Sequence, residues 1–221
     1  YYVDRLEQGV RAFIVEPLLR GRQAWFQEFS QYLNQPRMTW WEFHVKYTLL
    51  RMDAEKNLKP TMTPAEAEAF YETHAYQSWR NLVHRRHVQW RRVLWTMRGP
   101  KGWLLEFGCG VAPVSAWCSR RKPGWLYRLD DLDGPAKAFG KWRVSQHATL
   151  TNVGLRYDVV TALDVFEHLA DPEKAARMLV DEMEPGGYFH ANVHFNESAN
   201  DLDLASRVQL EATERYLAST L

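Results

Sequence analysis

Along the chain the spacing of apolar residues changes near Gly99-Pro100-Lys101-Gly102. Before that turn cluster they recur every three or four residues, the period of helices with one buried face. After it, short runs of β-branched and aromatic residues alternate with helical stretches. In residues 1–33, Phe13, Ile14, Leu18, Leu19, Trp25, Phe26 and Phe29 predict two helical stretches divided at Gly21. A loop at Asn34-Gln35-Pro36 leads into a helical segment over residues 39–52, carrying Trp40, Trp41, Phe43 and Tyr47. Thr63-Pro64-Ala65-Glu66 predicts a helix start, with Thr63 as cap, Pro64 at the first helical position and Glu66 closing a capping box. A further helix over residues 76–97 puts Trp79, Val83, Arg86, Trp90, Val93 and Met97 on one stripe. Arg80, Arg85, Arg91 and Arg92 fall on its other face.

Beyond residue 102 the pattern predicts a strand at 103–107, a helix at 113–121 and a strand at 125–129. A helix from Asp133-Gly134-Pro135 to about residue 143 follows, then a buried strand at 157–163 and a helix at 172–183. Pro185-Gly186-Gly187 reads as a turn before a last strand at 188–193. This alternation implies an α/β, Rossmann-like parallel sheet with helices on both faces. Two domains are expected, a helical N-terminal region over 1–98 and an α/β domain over 99–221.

Composition narrows the class. Hydrophobic residues make up 46% and charged residues 25% of the 221 positions, which excludes disordered, collagenous and coiled-coil chains. A 26.0 kDa chain can bury roughly 70% of its unfolded surface, so a core needs no disulfide or structural metal. Two cysteines, Cys109 and Cys118, do not make a stapled secreted scaffold. No apolar run approaches the ~20 residues of a membrane span, and no secretory signal pattern opens the chain. A cytoplasmic protein is expected. The net charge of +1 sets no global field for nucleic acid. The arginine face of residues 76–97 is accordingly read as solvated, with an RNA surface as the alternative.

Chemistry concentrates in Leu104-Leu105-Glu106-Phe107-Gly108-Cys109-Gly110-Val111-Ala112. A strand delivers an acid, and a glycine turn then opens a helix whose N-terminus offers free N–H groups. Pro113 stands where a dinucleotide-binding turn has its third glycine, and the preceding acid suits an amino group better than a diphosphate. Asp130-Asp131-Leu132-Asp133 ends the next strand, where an acid can accept two ribose hydroxyls. Asp131 is the first choice and Asp130 the second, with Asp133 solvated. Asp164, directly after the strand at 157–163, faces the carboxyl edge of the sheet.

Together, E-x-G-C-G-x-A, the acids after the second strand, Y-D-V-V…D-V-F-E-H-L and the Pro-Gly-Gly turn resemble the class I S-adenosylmethionine-dependent methyltransferases over residues 103–195. The resemblance implies S-adenosyl-L-methionine as cofactor. It implies that Glu106, with the backbone of Gly108, Cys109 and Gly110, holds the methionine end. Asp131 or Asp130 would take the ribose, and Leu163, Asp164 and Val165 would line the cleft below the sulfonium. The acid that relatives carry after a third strand, for adenine, is missing here; Gln146 or Asn152 could substitute. The resemblance also implies two further strands, usually a hairpin. Residues 196–221 read instead as a helix over 204–217, so the hairpin is expected to be shortened or absent. The sheet edge would then be covered by the N-terminal helices or by a second copy in a homodimer.

On the acceptor side, His168, Asp164 and His194 are the candidate catalytic residues, with His190 and Asn192 near the same edge. Asp164, Glu167 and His168 would share one face if a helix began at Asp164. That spacing resembles ubiquinone-pathway O-methyltransferases, where it can hold a divalent cation. The Glu-His-Leu step is also widespread without metal, and no metal is expected. His190 alternates with Ala191 and reads as a satisfied core histidine. The expected function is methyl transfer to an O or N of a small-molecule or peptide acceptor, with neither nucleic acid nor membrane as partner. A fold-retaining, non-catalytic binding module is the rival. Trp40, Trp41, Phe43, Tyr47, Phe70, Tyr71 and Tyr76 are read as an acceptor pocket or as helical core.

Overall fold

The computed structural model describes residues 24–35, 37–57, 62–73, 87–153, 156–192 and 205–221. Two units divide the chain, Tyr1–Asn57 and Leu58–Leu221. In the first, helices α1 (Ala24–Tyr32) and α2 (Trp40–Asn57) are described. Thr39 opens α2 with a capping box, its backbone N–H and hydroxyl both donating to Glu42. Phe26, Phe29, Trp40 and Phe43 are buried, and Trp40 stacks on Phe43 at 5.1 Å between ring centroids. Trp40 and Phe43 therefore lie in this unit's core, while Trp41 and Tyr47 are half-buried.

The second unit opens with α3 (Pro64–Thr73), started by the expected Thr63–Glu66 capping box. Phe70 is buried there. Helix α4 (His87–Thr96) forms the described part of the helix expected over 76–97. Residues 74–86, with Tyr76 and the first arginines, lie outside the described residues, as does the side chain of Tyr71.

From β1 (Trp103–Phe107) onward the chain alternates: α5 (Pro113–Ser119), β2 (Leu126–Asp130), α6 (Pro135–Ser145), β3 (Thr149–Leu150), β4 (Tyr157–Leu163), a 3-10 turn at Phe166–His168, α7 (Pro172–Asp181), β5 (Met183–Asn192) and α8 (Arg207–Thr220). The five strands form one sheet in the order β3-β2-β1-β4-β5, and every pair is parallel. Alternate β1 side chains go to opposite faces. Leu104 packs with Trp90, Val93, Val114, Tyr127 and Val144 under α4, α5 and α6. Leu105 packs with Val160, Phe166, Leu179, Leu210 and Leu217 under α7 and α8. Both faces are dry, which is why β4 reads as a nearly unbroken apolar run.

Four differences from the sequence reading stand out. The two-residue β3 is too short to leave a pattern of its own. Strand β2 starts one residue late, because Trp125 packs over Gly102, where a Cβ would lie 2.8 Å from its ring. Pro185-Gly186-Gly187 is no separate turn: β5 absorbs it as an irregularity, with Gly186 at φ +79° and a register shift opposite Tyr157 and Val159. No helix begins at Asp164, whose φ is +57°. Only a 3-10 turn follows it, so the three-residue face at Asp164, Glu167 and His168 does not form.

Candidate active site

The carboxyl ends of β1, β2, β4 and β5 share one edge of the sheet, and the glycine turn leaves β1 at that edge. Gly108 has φ +62° and Gly110 +49°. A Cβ on Gly108 would come within 2.3 Å of a Val165 methyl carbon, so the close approach there admits only glycine. Ala112 also adopts the left-handed region, φ +49° and ψ +55°, at a cost of about 1–2 kcal/mol for an L-residue.

Three charged side chains brace this turn. Glu106, 4% exposed, accepts the N–H groups of Val114 (3.2 Å) and Ser115 (2.7 Å) at the start of α5. It therefore satisfies two of the helix's unpaired donors. Asp131 accepts from the N–H of Gly110 (2.5 Å) and from its own neighbour Leu132 (2.7 Å). Arg143, from α6, donates to the Val111 carbonyl at 2.8 Å. Gly140, one turn earlier, lets α6 lie against the turn, since a Cβ there would stand 3.0 Å from the Gly110 oxygen and from the Ala112 methyl.

Burial controls the charges. It pushes the Glu106 carboxyl up to about 7, while the N–H groups of Ser115 and Val114 and the charge of Arg143 pull it down. Burial also raises Asp131, against the N–H groups of Gly110 and Leu132. It raises the thiols of Cys109 and Cys118 as well, so both stay protonated at neutral pH and neither is an activated nucleophile.

At the end of β4, Asp164 and Asn192 bond reciprocally. The Asp164 N–H donates to the Asn192 side-chain carbonyl at 2.7 Å, and the Asn192 amide donates back to the Asp164 carboxylate. Because Leu163 pairs with Asn192 across β4 and β5, the two ends are locked in register.

A small open cleft of about 80 Å³ lies between these parts. Glu106, Gly108, Cys109, Leu163 and Asp164 line it, together with Gln89 and Trp90 from α4 and Thr161 from β4. Val165 is instead spent packing on Gly108. Gly110 and Asp131 face each other behind the turn, and Asp130 lies within reach of Arg128 at 3.5 Å. His168 ends the 3-10 turn, its N–H donating to the Val165 carbonyl. His194 lies outside the described residues. His190 bonds through Nε2 to the Thr96 hydroxyl at 2.9 Å, and burial with nearby Arg92 holds its pKa below the usual imidazole range. Gln146 turns back onto the Trp142 carbonyl of its own helix, and Asn152 sits exposed in the loop after β3. The sequence reading missed Arg143 altogether. Its signal was a single basic residue on the apolar face that Phe139 and Val144 define.

The lining carries two carboxylates, one indole and, among the described residues, no cation. Such a donor set fits a ligand bearing positive charge, an ammonium or a sulfonium, and does not fit a diphosphate. Gly108 brings backbone to the rim, and Gly110 lies behind it, its N–H held by Asp131. The residues present therefore fit S-adenosylmethionine.

No curated protein matches the chain. Among solved structures, an O-methyltransferase family protein from Burkholderia thailandensis is similar at a TM-score of 0.54 and 13% identity, over 80% of this chain and 66% of that one. An S-adenosylmethionine-dependent methyltransferase from Geobacter sulfurreducens, in complex with S-adenosyl-L-homocysteine, matches at 0.37 and 16%, over 48% of this chain. The matched stretch spans about half, 49%, of the Geobacter protein's length. A family model described as a methyltransferase domain matches residues 71–216, about two thirds of the chain. The chain belongs to that methyltransferase-domain family.

Proposed function

We propose that the chain transfers a methyl group from S-adenosylmethionine to an oxygen or nitrogen of a small-molecule or peptide acceptor. The observation that carries this reading is the acidic cleft at the carboxyl edge, walled by Glu106, Asp164 and Trp90 beside the braced glycine turn, with no cation in its lining among the described residues. S-adenosylmethionine, when bound, supplies a methyl activated by a sulfonium. In this reading Glu106 and the N–H groups of the turn hold the amino-acid end. Asp131, with Asp130 second, accepts the ribose hydroxyls. The Trp90 ring offers a π-face to positive charge, an attraction worth roughly 0.5–2 kcal/mol.

The chain's own contribution is mainly alignment. Holding acceptor and methyl in line can lower a barrier by up to roughly 7–11 kcal/mol. Asp164, pinned by Asn192, gives the cleft a rigid floor. His168 is the candidate base for an acceptor hydroxyl, and a nitrogen acceptor needs little more than deprotonation and aim. Gln89 and Trp90, which line the cleft, make α4 the candidate for the acceptor side. Calorimetry with S-adenosylhomocysteine tests the reading: micromolar binding is expected, and no heat at millimolar ligand would overturn it.

A further inference from the structure

We propose that Arg143 is a positioning residue for the cofactor site: it fixes the Val111 carbonyl and balances the buried Glu106 carboxylate, keeping the glycine turn aimed at the cleft. The inference rests on the cofactor assignment above but concerns a residue outside the cleft.

Arg143 is 7% exposed, an uncommon place for a guanidinium. Its Nη1 donates to Val111 at 2.8 Å, and its guanidinium carbon sits 5.3 Å from the centre of the buried Phe139 ring one turn back on α6. Val111 and Ala112 lie between Gly110, whose N–H is held by Asp131, and Val114, whose N–H is held by Glu106. Arg143 thus grips the middle of a segment whose two ends are gripped by carboxylates. That segment contains the left-handed Ala112, a conformation that persists only where its surroundings over-determine it.

Electrostatics ties the three together. The positive charge of Arg143 opposes the protonation of Glu106, and the charge of Glu106 opposes the deprotonation of Arg143. Among the described residues, the other titratable groups acting with Glu106 are Cys109 on the turn and Cys118 on α5, both kept neutral by burial. Arg143 therefore adds to the Ser115 and Val114 N–H groups in favouring the charged carboxylate, and that carboxylate accepts from the first turn of α5. Replacing the guanidinium with an apolar group of similar length has two consequences. It frees the Val111 carbonyl, and it lets Glu106 take up a proton at higher pH.

The test uses the whole chain with Arg143→Met and Arg143→Lys, calorimetry with S-adenosylhomocysteine between pH 6 and 8.5, and amide exchange of the ligand-free protein. Wild-type affinity is expected to fall as pH drops through about 7, where Glu106 gains its proton. Arg143→Met should weaken binding at neutral pH about tenfold or more, the loss of a charged hydrogen bond. It should also move that midpoint up by about one pH unit. The amides of Gly110, Val111 and Ala112 should exchange about tenfold faster. Arg143→Lys retains the charge and should leave the midpoint near the wild-type value while still speeding exchange. A merely structural arginine would not move the midpoint. Arg143→Met binding within twofold of wild type at an unchanged midpoint would overturn the proposal. If Arg143→Met does not fold, wild-type exchange rates in Arg143→Lys would overturn it. If wild-type protein binds no S-adenosylhomocysteine, the methyl-transfer reading falls, and exchange in the free protein still decides the role of Arg143.

Discussion

Asp131 reaches back across 21 positions of sequence to hold Gly110, its carboxylate accepting that glycine's N–H at 2.5 Å. Its other oxygen caps Leu132 at 2.7 Å. The acid we propose for the ribose is thus also a brace of the turn proposed to receive the amino-acid end, so one side chain would couple the two halves of that site.

Asp131→Ala should weaken S-adenosylhomocysteine binding by around 1.5–3 kcal/mol, the range for hydrogen bonds with a charged partner. Asp133→Ala should change it little, because that side chain is 88% exposed and its partner Lys137 also bonds the Asp131 carbonyl. Calorimetry on both variants checks this. The reverse ranking would place the ribose contact at the wrong acid.

Gly108→Ala should destabilise the fold by roughly 2–4 kcal/mol, combining a left-handed φ with a forced overlap on Val165. The double variant Gly108→Ala with Val165→Ala relieves only the overlap and should recover part of the loss. Urea unfolding of the three proteins separates the contributions. Full recovery would mean that the φ constraint is unimportant.

Stability should depend on pH through Glu106. Its folded value of about 7 lies above the ordinary 4.5, so the folded chain holds this proton more tightly than the unfolded one. Between about pH 4.5 and 7 its contribution to stability is lost as pH rises, and above that window it is flat. Asp131, raised for the same reason, acts with the same sign. Glu106→Gln should therefore flatten the decline without abolishing it. Urea midpoints measured from pH 4.5 to 8 would show this, and an unchanged slope would assign the titration elsewhere.

Asn192→Ala removes both partners of Asp164 in the reciprocal pair at the end of β5. A stability loss of about 0.5–1.5 kcal/mol is expected, together with faster amide exchange at Asp164. Asn192→Asp should be worse near neutral pH, since it faces Asp164 with a like charge and no amide donor. Better tolerance of Asp than of Ala would contradict this account.

What the sequence determined by itself is the alternation of elements, the start of β1 and β4, the capping box at Thr63, and the gathering of acids and glycines at strand ends. These follow from local chemistry: β-branched runs, Pro and Gly at turns, and side chains that cap the helix beside them. The membership of Gly108, Leu163 and Asp164 in one cleft also followed, because a parallel sheet brings successive strand ends to one edge. Tertiary structure alone decided which acid bonds which N–H, that Asp164 starts no helix, and that Val165 packs on Gly108 and leaves the cleft to its neighbours. It alone placed Gln89 and Trp90 at the rim, and it alone buried Arg143 against the turn. Those outcomes depend on contacts between residues distant in the chain, whose geometry is set by how α4 and α6 lie on the sheet. A single arginine on an apolar helix face carries no mark of the carbonyl it will find.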